Sequence, residues 1–188
     1  MRLAVFVSGN GSNLQCIIDA IDNKLLIDIS IGLVIADREC FAIERAKKSN
    51  IKYLMINRKS IDFKAIDSEL KKEKISHIIL AGFLSIIDKS FCEAWKNKII
   101  NLHPSLLPKY GGKGMYGIKV HQAVIDHKEK ESGATIHYVT AGVDEGEILL
   151  QEKCKVDENE TATSLQNKIH VIEKEILIES LKILYAKV

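Results

Sequence analysis

The 188-residue chain is short of proline and of cysteine pairs, and it carries no strong excess of either charge. Its two prolines both fall within Ile100–Pro108, and no low-complexity linker or internal repeat interrupts the rest. Cys16, Cys40, Cys92 and Cys154 lie far apart without CxxC spacing. That disfavours a metal cluster or disulfide framework and fits reduced thiols, so a cytoplasmic location is expected. The 27 basic and 25 acidic residues are mixed along the chain and leave a net charge of +2, with no basic block to mark a nucleic-acid partner. Met1–Val7 is apolar but too short for a signal peptide's hydrophobic region or a membrane span, so no membrane partner is expected. There is no G-x-S-x-G elbow, no P-loop (Gly112-Lys113 is followed by Gly114), and no HxH or HExxH spacing for a metal. Nothing marks a cysteine as a nucleophile, so any acyl chemistry here takes its nucleophile from a substrate.

What is present alternates. Arg2–Ser8, Ile27–Ala36, Ile51–Ile56, Ser76–Ala81 and Ile99–Leu102 read as strands. Helical spacing follows in between: Leu14, Ile17, Ile18 and Ile21; Phe41–Ser49; Lys59–Lys74 with Ile61, Ala65, Ile66 and Leu70 inward; and a short helix over Lys89–Lys96. Such alternation predicts one α/β domain, Rossmann-like, with a mostly parallel twisted sheet. Beyond Pro108 the pattern changes to a flexible loop at Tyr110–Gly117 and a helix at Val120–Asp126. Strands at Gly133–Thr140 and Glu147–Lys155 then form a late antiparallel addition. A long C-terminal helix, Thr161–Lys187, faces inward through Leu165, Ile169, Ile172, Ile176, Leu177 and Leu181. Residues 1–100 are expected to form a phosphate- or nucleotide-binding half and residues 101–188 a catalytic half.

Three stretches can carry chemistry. Gly9-Asn10-Gly11-Ser12-Asn13 joins the first strand to the first helix, with Ser12 or Asn13 as its cap. Backbone N–H groups at a helix start suit a phosphate, although a turn without a ligand would look the same. The third glycine of a dinucleotide fingerprint is replaced by Leu14, yet Asp37 ends the second strand where an acid can hold a ribose, which keeps a nicotinamide reading open. In the extended run Asn101-Leu102-His103, period two puts the amide and the imidazole on one face. One can hold a developing oxyanion and the other can move a proton, unless they are only a helix cap and a satisfied histidine. Asp144, in the turn Val143–Gly146, would raise the pKa of His103 if brought beside it, and is otherwise a solvated turn acid. Thr135 and His137 share a strand face as core or outer-layer residues. His121 and His127 read as helix-surface residues.

The segments Ser8–Asn13, Leu80-Ala81-Gly82-Phe83, Asn101-Leu102-His103-Pro104-Ser105-Leu106-Leu107-Pro108 and Asp144-Glu145-Gly146 resemble, in order and spacing, the folate-dependent glycinamide ribonucleotide formyltransferases. The resemblance spans essentially the whole chain. It implies transfer of a formyl group from 10-formyltetrahydrofolate, a co-substrate, to glycinamide ribonucleotide without a metal, by a monomer or homodimer. Asn101, His103 and Asp144 would then be catalytic, while Gly11, Ser12, Asn13 and Glu173 would hold the ribonucleotide. Leu84, Ser85, Ile86 and Ile87, with Thr140, Ala141, Gly142 and Val143, would line the folate. Three features depart from the family: Ser85 replaces an arginine near the folate tail, His170 replaces glutamine or lysine, and the Gly111–Gly117 loop is longer than in many members. None of these departures is expected to touch the catalytic trio. A formyl-folate hydrolase and a nicotinamide- or mononucleotide-binding module are the alternatives.

Overall fold

The computed structural model describes residues 1–187 as a seven-stranded sheet flanked by helices. Element order is β1 (Arg2–Val7), α1 (Ser12–Asp22), β2 (Ser30–Ala36), α2 (Phe41–Lys48), β3 (Tyr53–Met55), α3 (Phe63–Lys72), β4 (His77–Leu80), α4 (Lys89–Ala94), β5 (Ile99–His103), α5 (Ile118–Asp126), β6 (Glu131–Tyr138), β7 (Ile148–Lys155) and α6 (Ala162–Ala186). Strands run in the order β3-β2-β1-β4-β5-β6-β7, parallel through β5, with β6 and β7 antiparallel. The chain therefore reverses its direction of winding between β1 and β4. In open parallel sheets that switch opens a crevice at the carboxyl ends of the strands.

β1 shows why the sheet is buried on both sides. Leu3, Val5 and Val7 point into a core shared with α1, α2 and α6, while Ala4 and Phe6 enter a second core with residues of α3 and α4. α6 closes the first core through Leu165, Ile169, Ile176, Leu177, Leu181 and Leu184, each worth roughly 1.5–3 kcal/mol of burial. Ile172 sits at the rim of that face, and Glu173 takes a buried place on it. A capping box between Thr161 and Ser164 starts the helix.

Most boundaries fall one to three residues inside those expected from the pattern. α3 begins at Phe63 because the Asp62 carboxylate accepts from the Lys64 and Ala65 N–H groups, both at 3.0 Å. Ala65 is consequently exposed on the first turn rather than inward. The four cysteines are free thiols, Cys92 buried and the others half-buried. Among the described residues no helix is long and apolar enough to cross a membrane.

Candidate active site

A cleft of about 690 Å³ lies over the switch point, between the ends of β1, β4 and β5, the loop before α5, the β6–β7 connection and α6. A larger groove, about 1060 Å³, lies beyond Leu106–Tyr110 and holds none of the candidate residues.

At one end of the cleft is the turn after β1. The expected cap at Ser12 or Asn13 is corrected: Gly11 is the N-cap, in left-handed backbone at φ 73°, and no side chain caps α1. Gly11 is required there, because a Cβ would stand 2.6 Å from the Ala42 Cβ. First-turn N–H groups of an uncapped helix remain free, and they face the cleft wall that Gly11, Ser12 and Asn13 form. Arg45 of α2 steadies the turn through its Nε–H to the Asn10 carbonyl at 2.8 Å.

At the other end, register assembles the chemistry. Antiparallel pairing of β5 with β6 sets Asn101 opposite His137 and His103 opposite Thr135. Thr135 is structural: its hydroxyl donates to the Ser105 carbonyl at 2.6 Å and accepts from the Leu107 N–H at 3.2 Å, shaping the proline corner. His137 Nδ1 lies 3.0 Å from the Tyr138 carbonyl, an obligate acceptor, so Nδ1 carries the hydrogen and Nε2 is free to accept. The Asn101 Nδ2 then donates to His137 Nε2 at 3.1 Å and, more weakly, to Asp144 Oδ1 at 3.3 Å.

Asp144 arrives from the β6–β7 connection in left-handed backbone, φ 58°. Its Oδ2 accepts from the Gly112 N–H at 2.9 Å and stands 3.5 Å from His103 Nδ1, so this turn acid is not left to solvent. Burial pushes its carboxyl up, but its surroundings, with nearby His103 and the Gly112 N–H among them, outweigh that and hold it below the usual range. For His103 the expected upward pull of Asp144 is present but outweighed. Burial lowers its pKa more than Asp144 and the Tyr110 carbonyl raise it, and nearby His137 adds to the lowering. At 4% exposure, desolvation of the imidazolium wins over one carboxylate at 3.5 Å. The loop after Pro108 does touch the trio, contrary to expectation, through the Tyr110 carbonyl 2.8 Å from His103 Nε2 and through Gly112 on Asp144.

Glu173 and His170 reach the cleft from α6. Glu173 is buried, which pushes its carboxyl up to about 7 despite a contact with Asn13. His170 Nε2 is 3.8 Å from Glu173 Oε2. His121 is the residue most misplaced by the pattern. It was expected on the helix surface, yet it is 1% exposed, lines the cleft, and has a buried Nδ1 without a partner. Burial, with His170 and His103 nearby, lowers its pKa to about 4. The period of α5 carried the clue, since His121 shares a face with Val120 and Val124. His127, as expected, is exposed.

The segment expected along the folate divides by alternation. Leu84, Ile86 and Val143 line the cleft, whereas Ile87 enters the second core and Ser85 turns its hydroxyl to Asp37 Oδ2 at 2.6 Å. Thr140 and Ala141 are exposed and Gly142 half-buried, outside the cleft lining. Asp37 is corrected too: it is buried, bound by both arms of Arg38 at 2.9 Å as well as by Ser85, and absent from the cleft lining, so it is engaged within the fold rather than presented to a ribose. Among the described residues no group of His, Cys, Asp or Glu is placed to hold a metal ion.

The chain has counterparts among known proteins. The formyl transferase family model matches residues 1–181. A trifunctional purine biosynthetic protein adenosine-3 of Chironomus tentans is 39% identical over 92% of this chain, which covers 13% of that protein. The chloroplastic phosphoribosylglycinamide formyltransferase of Arabidopsis thaliana is 34% identical over 95% of this chain and 63% of its own length. The chain thus spans less than two thirds of these curated relatives. Among solved structures, phosphoribosylglycinamide formyltransferase from Anaplasma phagocytophilum superposes with a TM-score of 0.91 at 30% identity, over 100% of this chain and 88% of that one. Glycinamide ribonucleotide transformylase 1 from Geobacillus kaustophilus gives 0.89 at 33% identity, over 97% of each chain. With the match running from the first strand into the last helix, this chain belongs to the formyl transferase family.

Proposed function

We propose that the chain transfers the formyl group of 10-formyltetrahydrofolate to the amine of glycinamide ribonucleotide, giving formylglycinamide ribonucleotide and tetrahydrofolate in purine (IMP) biosynthesis. The observation that carries this reading is one cleft with uncapped helix N–H groups at one end and an Asn101–His103–Asp144 corner at the other. A phosphorylated amine fits that span: phosphate on Gly11, Ser12 and Asn13, ribose toward Glu173, amine at the corner. Leu84, Ile86 and Val143 form an apolar wall for the folate ring system.

In the reaction the amine nitrogen bonds to the formyl carbon, and the C–N10 bond of the folate breaks. One proton leaves the amine and one reaches N10. Asn101 holds the oxyanion formed between these events. Its first Nδ2 hydrogen is fixed on His137, and the second, spent only on a long contact to Asp144, is the one offered to the formyl oxygen. His103 is neutral at working pH and accepts a proton, and ionised Asp144 faces the imidazolium that results. The 1–100 half supplies the phosphate end and the 101–188 half the chemistry. Free thiols suit a cytoplasmic enzyme acting alone or as a homodimer, with no nucleic acid or membrane partner.

Incubation with 10-formyltetrahydrofolate and glycinamide ribonucleotide tests the reading, with folate absorbance and formylated product followed together. Product that requires the ribonucleotide is expected. Formate release without it would make the protein a hydrolase, and ribonucleotide binding with no turnover would reduce it to a binding module.

A further inference from the structure

Tyr110 occupies an unusual place for a large side chain. Its backbone is left-handed, φ 56°, a conformation that bulky residues adopt only when the surroundings hold them there. Three contacts do so. The phenol donates to Glu129 Oε1 at 3.0 Å, the ring packs edge-on against His127 at 5.7 Å, and the next residues are tied down by the Gly112 N–H on Asp144. Glu129 is itself anchored by the Lys109 ammonium at 2.9 and 3.2 Å. What this clamp presents to the cleft is a carbonyl, 2.8 Å from His103 Nε2.

A carbonyl oxygen only accepts, so its partner nitrogen must carry hydrogen. Without that contact, Asp144 beside Nδ1 would favour the opposite tautomer, with hydrogen on Nδ1. We propose that Tyr110, held by Glu129, is a positioning residue that fixes neutral His103 as its Nε2–H tautomer and so makes Nδ1 the atom that exchanges the proton. The proposal rests on the formyl-transfer reading for its catalytic consequence, although the tautomer itself does not depend on it. Nδ1 then takes up a proton against a carboxylate, while Nε2 never needs a new partner. The charged and titratable groups around His103 are Asp144, His137 and His121; those around the clamp are Lys109, Glu129 and His127.

The test uses histidine ¹⁵N–¹H correlation spectra of the whole, ligand-free protein at pH 8, with His103 assigned through His103→Asn. Wild type is expected as Nε2–H. Tyr110→Phe and Glu129→Ala are expected to populate both tautomers, whereas Glu129→Gln, which keeps an acceptor for the phenol, stays like wild type. In turnover, Tyr110→Phe and Glu129→Ala should lose roughly tenfold in kcat, the scale of a lost outer-layer partner. KM for the ribonucleotide should stay within about twofold, and the low-pH limb of kcat, where His103 becomes protonated, should move to lower pH, because the carbonyl contact favours the imidazolium. An Nδ1–H wild type, or variants whose tautomer does not change, would overturn the proposal. A tautomer that shifts in a protein without formyl transfer would leave the positioning role standing and remove the reading of the cleft.

Discussion

The two ends of the cleft are built by different means. At the proposed phosphate end the donors are main-chain N–H groups of one continuous stretch, Gly11–Asn13, kept free by an uncapped helix and a left-handed glycine. At the proposed catalytic end the groups are side chains from separate elements, Asn101 and His103 on β5, His137 on β6 and Asp144 on the connection beyond, held by the Tyr110 carbonyl and the Gly112 N–H of the loop before α5. A backbone site tolerates change in most of its side chains and fails only where a Cβ cannot fit. A side-chain site fails with any one member. The first kind grips, and the second discriminates between charge states.

Removing a member of the catalytic end should have the largest effect. His103→Ala should cut kcat on the order of 10²–10⁴-fold, and Asn101→Ala should cost about 3 kcal/mol of transition-state stabilisation. KM for the ribonucleotide should hold within about twofold in both. Steady-state kinetics with each substrate varied checks this, and a variant changed only in KM would erase the division between the ends. Gly11→Ala should act in the opposite sense. It places a Cβ 2.6 Å from the Ala42 Cβ at a left-handed position, costing roughly 2–4 kcal/mol of stability and raising ribonucleotide KM, with kcat of the folded fraction nearly intact. Urea denaturation alongside kinetics separates the two effects.

The smallest effect concerns Glu173, which lines the cleft beside Asn13. Its folded pKa, about 7, lies above the ordinary 4.5, so the native state holds a proton that the unfolded chain has already released. Stability contributed by the protonated form is therefore full below about 4.5, falls as pH rises, and is lost above about 7. Glu173→Gln should accordingly be more stable than wild type by about 1–3 kcal/mol at pH 8 and equal to it near pH 4. Denaturation at those two pH values measures it; equal stability at both would place Glu173 in contact with solvent.

Much of this was legible in advance, for local reasons. Strand and helix periods name the α/β class, Gly9–Asn13 announces its turn, and the period of two puts Asn101 and His103 on one face. The misreadings share a cause. His121 reads as a surface residue when helix polarity is taken residue by residue, yet α6 packs against α5 and His121 is buried at the cleft wall. Asp37 looked free until Arg38 and Ser85 closed on it from its own loop and from the end of β4. Loop length at Gly111–Gly117 says nothing of the Tyr110 carbonyl, whose direction depends on a left-handed residue held by Glu129, His127 and the Gly112 contact to Asp144.

The sequence by itself determined the order of strands and helices, the phosphate-ready turn, the proline corner and the identity of the amide and imidazole, because each depends on residues a few positions apart. Tertiary structure alone decided which carboxylate meets His103, which histidine orients Asn101, and which charge each group carries. Those outcomes depend on the β5–β6 register and on burial, and both arise only when residues more than thirty positions apart, such as Asn101 and His137, are brought together.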